Sequence, residues 1–420
     1  MKHISLFILV CIFPVNVLCL GFLRELLFPR NPVLHRSSHY DRTRTTDDDT
    51  VLDFIGLVEK HGYPAEEHHL TTEDGYKLTF HRIPGSPKSP PRSGKPIVFC
   101  QHGLLGSSDY WVLLGPNKDL AFILADEGYD IWLSNVRGNT YCRSHEELSP
   151  TSSQFWSFSY HEIALYDLPA MIDYALNVTN EKMLYYIGHS MGTTMSYVLL
   201  STKLDYNDKI RLAINLAPVA FWKSLPKDNP YYALIENYSE IKRFFENNQI
   251  YDLFALTTNS ARIGKGLCSD NMITQQACIA LIFHFSGASP KQLNSTLLPH
   301  ILSYVPAGAS VQTVEHYGQN MKFKSFTQYD YGYPLNFKIY GKKKPPIYDV
   351  KKITAKIAIL YSENDPLVIE ENVQELVKKL QNLVFKRKVP FKSFNHLDFI
   401  WAKDAKYLVY DTIIDLLSQY

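Results

Sequence analysis

The sequence predicts an α/β fold: a mostly parallel central sheet with helices on both faces, interrupted by an inserted, largely helical cap. Three observations carry this. First, short apolar runs at residues 96–100, 130–134, 183–187, 211–216 and 357–361 alternate with helix-like stretches, the pattern of parallel strands covered on both faces. Second, Gly188-His189-Ser190-Met191-Gly192 follows directly on the run at 183–187, and residues 193–201 carry neither proline nor glycine and hold Met195, Val198 and Leu199 at helical spacing. Strand, sharp turn and helix in that order form a nucleophile elbow. Third, the alternation lapses between Ala220 and Tyr348, where Phe221, Trp222, Tyr231, Tyr232, Phe244, Phe245, Phe254, Phe283 and Phe285 stand among polar residues. That segment reads as an insertion over the core, placed to close over a substrate.

The elements follow in chain order. Lys2 and His3 precede an apolar run from Ile4 to Leu18, broken by Pro14 and Asn16. A membrane span needs roughly 20 apolar residues, so this run reads as a signal peptide over residues 1–19. No later stretch is long and apolar enough to span, which predicts an exported chain with no transmembrane segment after cleavage. Residues 20–50 mix prolines, arginines and serines and end in Asp47-Asp48-Asp49, the composition of a flexible arm. Residues 67–72 and 76–83 flank Glu73-Asp74-Gly75 as a hairpin. The core then occupies 51–220 and 349–420, and the cap 221–348.

With 420 residues, 45% hydrophobic, the chain can bury a large core. Its net charge of +1 without long basic runs offers no footprint for nucleic acid. Of six cysteines, Cys11 and Cys19 fall in the leader. Cys268 and Cys278 close a short loop and are the favoured disulfide, while Cys100 and Cys142 stay open between a bridge and two buried thiols. No C-x-x-C or H-E-x-x-H occurs, so no metal or other cofactor is expected. Asn177, Asn237 and Asn294 open glycosylation sequons, which matter only in an exported chain.

A serine on an elbow requires an acid and then a histidine, each after a later strand. The strand at 357–361 runs into Ser362-Glu363-Asn364-Asp365-Pro366, and an extended stretch at 384–394 into Asn395-His396-Leu397-Asp398-Phe399. Asp365 is the acid candidate and His396 the base. Glu363 and Asp398 compete with Asp365: Glu363 is two residues earlier, and Asp398 sits so near His396 in sequence that reaching its Nδ1 is awkward. Oxyanion donors are expected from the backbone N–H of Met191 and of Leu104, in the loop Gln101-His102-Gly103-Leu104-Leu105-Gly106.

Gly62-Tyr63-Pro64, Thr72-Glu73-Asp74-Gly75-Tyr76, His102-Gly103-Leu104-Leu105, Arg137-Gly138-Asn139, Tyr166-Asp167-Leu168-Pro169, Gly188-His189-Ser190, Pro306-Ala307-Gly308 and Asn395-His396-Leu397-Asp398-Phe399 together resemble the acid lipase family, which includes gastric and lysosomal acid lipases. The resemblance runs from Gly62 to the C-terminus. It implies an α/β-hydrolase core with a cap, the triad Ser190, Asp365 and His396, oxyanion donors at Leu104 and Met191, no cofactor, and action on neutral lipid esters at a lipid–water interface. A monomer is expected, secreted or delivered to lysosomes, since the leader is the one legible address. Digestive members carry glutamine where Met191 stands, and the family's third cap cysteine is Ser286 here, which leaves Cys268 and Cys278 as the pair. An esterase for soluble short-chain esters and a catalytically silent lipid carrier are the competing readings.

Overall fold

The protein is described by a computed structural model over residues 28–29, 32–37, 51–270 and 272–420. The strands are β1 (Glu66–Thr71), β2 (Tyr76–Ile83), β3 (Ile97–Gln101), β4 (Asp130–Leu133), β5 (Ser144–His145), β6 (Leu184–His189), β7 (Ile210–Leu216), β8 (Asp252–Leu253), β9 (Ala309–Ser310), β10 (Ile357–Tyr361) and β11 (Leu383–Lys388). Nine of them build one sheet in the order β1-β2-β4-β3-β6-β7-β10-β11, with β5 beside β2, while β8 and β9 pair separately inside the insertion. From β4 to β11 every pairing is parallel, and β1 and β2 form the expected antiparallel hairpin at one edge.

Burial explains the sequence texture. Every residue of β3, β4, β6 and β10 is buried, which is why these strands read as unbroken apolar runs. Edge strand β1 alternates half-buried with exposed positions and carries charged and histidine side chains, which protect an open edge from further pairing.

The helices that matter for the site are α1 (Phe54–Glu59), α2 (Leu120–Asp126), α3 (Leu168–Thr179) and α4 (Met191–Thr202). Helix α4 is buried from Met191 to Ser201, so its sequence is small and apolar all round rather than amphipathic. Strands β7 and β10 pair directly, Leu216 opposite Leu360, and everything between them forms one long crossover. It contains α5 (Tyr232–Glu236), α6 (Tyr238–Asn247), α7 (Thr258–Leu267), α8 (Ile273–Ser286), α9 (Val311–Phe323) and α10 (Leu335–Tyr340). A disulfide joins Cys268 to Cys278, with Cα atoms 5.9 Å apart. Cys100 and Cys142 are buried free thiols.

One expectation needs correction. Residues 32–37, expected within a flexible arm, are docked. Val33 O accepts from Thr258 N at 3.0 Å, and Ser37 O accepts from Asp53 N at 3.0 Å. The Arg36 guanidinium pairs with Asp109 at 2.7 Å and lies over the rings of Tyr141 and Tyr304. Asp109 is fully buried, and a buried carboxylate demands a cation. Composition could not reveal a partner 73 residues away in the chain. The stretch read as a signal peptide, Cys11, Cys19 and the rest of the arm apart from residues 28–29 lie outside the described residues. Asn177 and Asn237 are exposed and Asn294 is half-buried. Among the described residues no helix is long and apolar enough to cross a membrane.

Candidate active site

Strand β6 delivers Ser190 onto a turn with φ 55° and ψ −116°, a strained conformation for a residue with a Cβ, held because the surroundings leave no alternative. The glycines of the motif are sterically required. A Cβ on Gly192 would lie 2.5 Å from Gln101 O, and one on Gly188 would lie 2.8 Å from the Gly192 carbonyl. Helix α4 starts immediately after the serine, so its unpaired N–H groups and positive dipole end point toward Ser190.

The three distant candidates converge. His396 Nε2 is 2.8 Å from Ser190 Oγ, and His396 Nδ1 is 2.7 Å from Asp365 Oδ2. With Nδ1–H donating to the carboxylate, Nε2 carries the lone pair that faces the serine hydroxyl. Asp365 Oδ1 accepts from the N–H groups of Leu367 and Val368 at 2.8 and 3.1 Å, which orients the carboxylate. The competitors are elsewhere. Glu363 is exposed, and Asp398 Oδ2 accepts from Asn395 N at 2.9 Å. Burial pushes the Asp398 pKa up to about 6.

The oxyanion candidates flank the serine. Gln101 is in register with Gly188, so the loop after β3 leaves the sheet beside the elbow, and a Cβ on Gly103 would come within 3.1 Å of Ser190 Cβ. The Leu104 N–H donates to no backbone carbonyl among the described residues. Met191, first in its helix, has no intrahelical acceptor for its own N–H. Both residues line the same cavity as Ser190, of about 200 Å³. Its other walls are mainly apolar side chains from the insertion, including Trp222, Leu234, Ile241, Phe245 and Met321. Lys242 and Glu315, which also line it, are paired with each other at 3.0 Å.

Sequence reasoning missed the supports of the base. His189 Nε2 donates to His396 O at 2.9 Å, and Tyr110 OH meets His189 Nδ1 at 2.8 Å. Burial, with the neighbouring His396, pushes the His189 pKa well below its usual value, so the ring stays neutral. His396 N donates to Ser286 O at 3.0 Å, so the end of α8 contributes its backbone to the histidine loop. Asn395 Oδ1 accepts from the N–H groups of Leu397 and Asp398, while its Nδ2 donates to Gly287 O at 2.8 Å. Asn364 Nδ2 donates to Ala288 O and Ser393 O. The acid loop, the base loop and the end of α8 are thus interlocked. The signals were present, since His189 and Asn395 both sit inside the motifs.

Comparison with known proteins agrees with this geometry. Residues 54–115 match the partial alpha/beta-hydrolase lipase region, and residues 96–264 match the alpha/beta hydrolase fold. The chain is 39% identical over 378 residues to gastric triacylglycerol lipase of Homo sapiens, covering 88% of this chain and 92% of that protein. It is 35% identical over 389 residues to lysosomal acid lipase/cholesteryl ester hydrolase of Homo sapiens, covering 92% and 96%. Among solved structures, a putative lipase from Acinetobacter baumannii AYE aligns with TM-score 0.50 at 15% identity, over 86% of this chain and 94% of that one, a likeness of fold alone. The kinship covers about nine tenths of the chain, and on that basis this chain belongs to the acid lipase family of α/β hydrolases and is a carboxylic ester hydrolase.

Proposed function

We propose that this protein hydrolyses the ester bonds of neutral lipids, triacylglycerols or sterol esters, at a lipid–water interface. The observation that supports this most is the unbroken line Asp365–His396–Ser190 opening into a cavity with mainly apolar walls under the insertion. In the reaction, His396 Nε2 takes the Ser190 proton as Oγ attacks the ester carbonyl. The Leu104 and Met191 N–H groups stabilise the oxyanion, and Asp365 steadies the imidazolium. His396 then protonates the leaving alcohol, and water, deprotonated by the same histidine, releases the fatty acid and restores Ser190. Residues 51–220 and 349–420 act as the catalytic core and 221–348 as the cap that receives the acyl chain. The protein works as a monomer in the secretory route, secreted or delivered to lysosomes, with sugars on Asn177, Asn237 or Asn294.

The test is Ser190→Ala assayed on emulsified triacylglycerol and on a soluble short-chain ester, with fluorophosphonate labelling of the unaltered protein. A loss of several orders of magnitude on both substrates and labelling at Ser190 are expected. Near-full activity of the variant, or an unlabelled wild type, refutes the reading. Faster turnover of the soluble ester than of the emulsion would assign a soluble-ester esterase instead.

A further inference from the structure

Helix α10 buries a polar side chain and exposes three apolar ones. A surface helix is expected to turn its apolar side inward and its polar side to water. Here Asn336 is buried and Tyr340 half-buried, whereas Leu335, Phe337 and Ile339 are 49%, 59% and 52% exposed. Tyr333 and Ile347, on either side of the helix, are each 72% exposed, and Phe323 at the end of α9 is 60% exposed.

This orientation is held in place by hydrogen bonds. Asn336 Oδ1 accepts from Tyr331 N at 2.9 Å, and its Nδ2 donates to Asp330 Oδ1 at 2.7 Å and to Lys343 O at 2.9 Å. Tyr340 OH donates to Tyr329 O at 2.8 Å, and Gln328 N donates to Pro346 O at 2.9 Å. The buried flank, Asn336 and Tyr340, is satisfied from within, which leaves Leu335, Phe337 and Ile339 in water on either side of the exposed Lys338, on an ordered support. Exposed large apolar side chains grouped in this way mark an interaction surface.

The same stretch concentrates positive charge. Lys322, Lys324, Lys338, Lys342, Lys343 and Lys344 are all exposed. The lysine ion pairs among the described residues are made at other positions. Asp330 is the one acidic residue between 322 and 347, so this stretch carries +5 in a chain whose net charge is +1. Lys343 Nζ lies 5.9 Å from the Tyr333 ring centroid, which brings the charged and apolar features together.

We propose that this face docks on an anionic lipid surface, its apolar side chains entering the boundary between headgroups and acyl chains while the lysines meet the headgroups. Charge complementarity selects the occupant: lysines beside exposed aromatic and aliphatic side chains are the combination that binds such surfaces. The docking is independent of the ester chemistry, so Ser190→Ala binds as the unaltered protein does.

The test is flotation of the purified full chain with phosphatidylcholine vesicles, with and without phosphatidylserine, at low and high salt. Binding is expected with phosphatidylserine and is expected to fall as salt rises. The combined variant Lys342→Gln, Lys343→Gln and Lys344→Gln is expected to bind about a hundredfold more weakly. Phe337→Ser with Ile339→Ser weakens binding at either salt concentration. Both variants keep the hydrolysis of a soluble short-chain ester, which reports an intact fold. Equal flotation with and without phosphatidylserine, no flotation at all as expected of a surface made for an acidic protein, or undiminished binding by the lysine variant overturns the proposal.

Discussion

Asp398 offers a sharp test of how the histidine loop is built. Its carboxyl is 5% exposed, accepts from Asn395 N, and has its pKa pushed up to about 6 by burial. In the unfolded chain an aspartate titrates near about 3.9. Between those values the folded protein holds a proton that the unfolded chain has released, so this group favours folding increasingly as pH falls through about 6 and stops adding near about 4. Two pH units at about 1.4 kcal/mol each give about 3 kcal/mol. Asp398→Asn keeps an acceptor oxygen for Asn395 N while removing the titration. Urea unfolding of both proteins between about pH 4 and about pH 7 isolates the effect, because every other titrating group is common to the two. The stability difference is expected to move in favour of the unaltered protein by about 3 kcal/mol on acidification. A difference independent of pH, or one that moves the other way, refutes the argument that burial sets the acidity of this carboxyl.

Other perturbations address other parts. Arg36→Met leaves the fully buried Asp109 without its cation and is expected to cost about 3–5 kcal/mol in urea unfolding; an unmoved midpoint would mean that the docked segment contributes nothing. Asp365→Asn permits the wrong imidazole tautomer and is expected to lower kcat on a soluble ester by about 10⁴-fold, with the fold retained; a loss of less than about tenfold would deny the carboxylate that role. Replacing Cys268 and Cys278 by serine opens a link between residues ten apart and is expected to cost about 3 kcal/mol in the chain-entropy picture, checked by denaturation with and without reductant.

The convergence of the three candidate side chains was legible in the sequence because each of them follows a strand. An apolar run locates the strand, the residues after it name the loop, and chain order alone singles out Ser190, Asp365 and His396 as the candidates. The core strands were legible for the same reason, since burial on both faces writes itself as an unbroken apolar run. Contacts that depend on distant partners were hidden. Nothing local marks Arg36 as the counter-charge of Asp109, and His189 reads as the variable residue of its motif until its ring is found between Tyr110 and the His396 carbonyl. Helix α10 was hidden for a different reason: sequence pattern assumes apolar side chains turn inward, and here the buried position is held by Asn336.

The direct pairing of β7 with β10 bears on how the insertion can vary. Because these neighbours pair directly, the hydrogen-bond ladder of the sheet takes no strand from the intervening chain. The geometry therefore allows the walls of that passage to be recast for a bulkier or slimmer guest while Ser190 stays where the strands hold it. The interlock at Asn364, Asn395 and the end of α8 limits this freedom: a transplanted passage must bring its own carbonyls to the same three loops, or the histidine loses its seat.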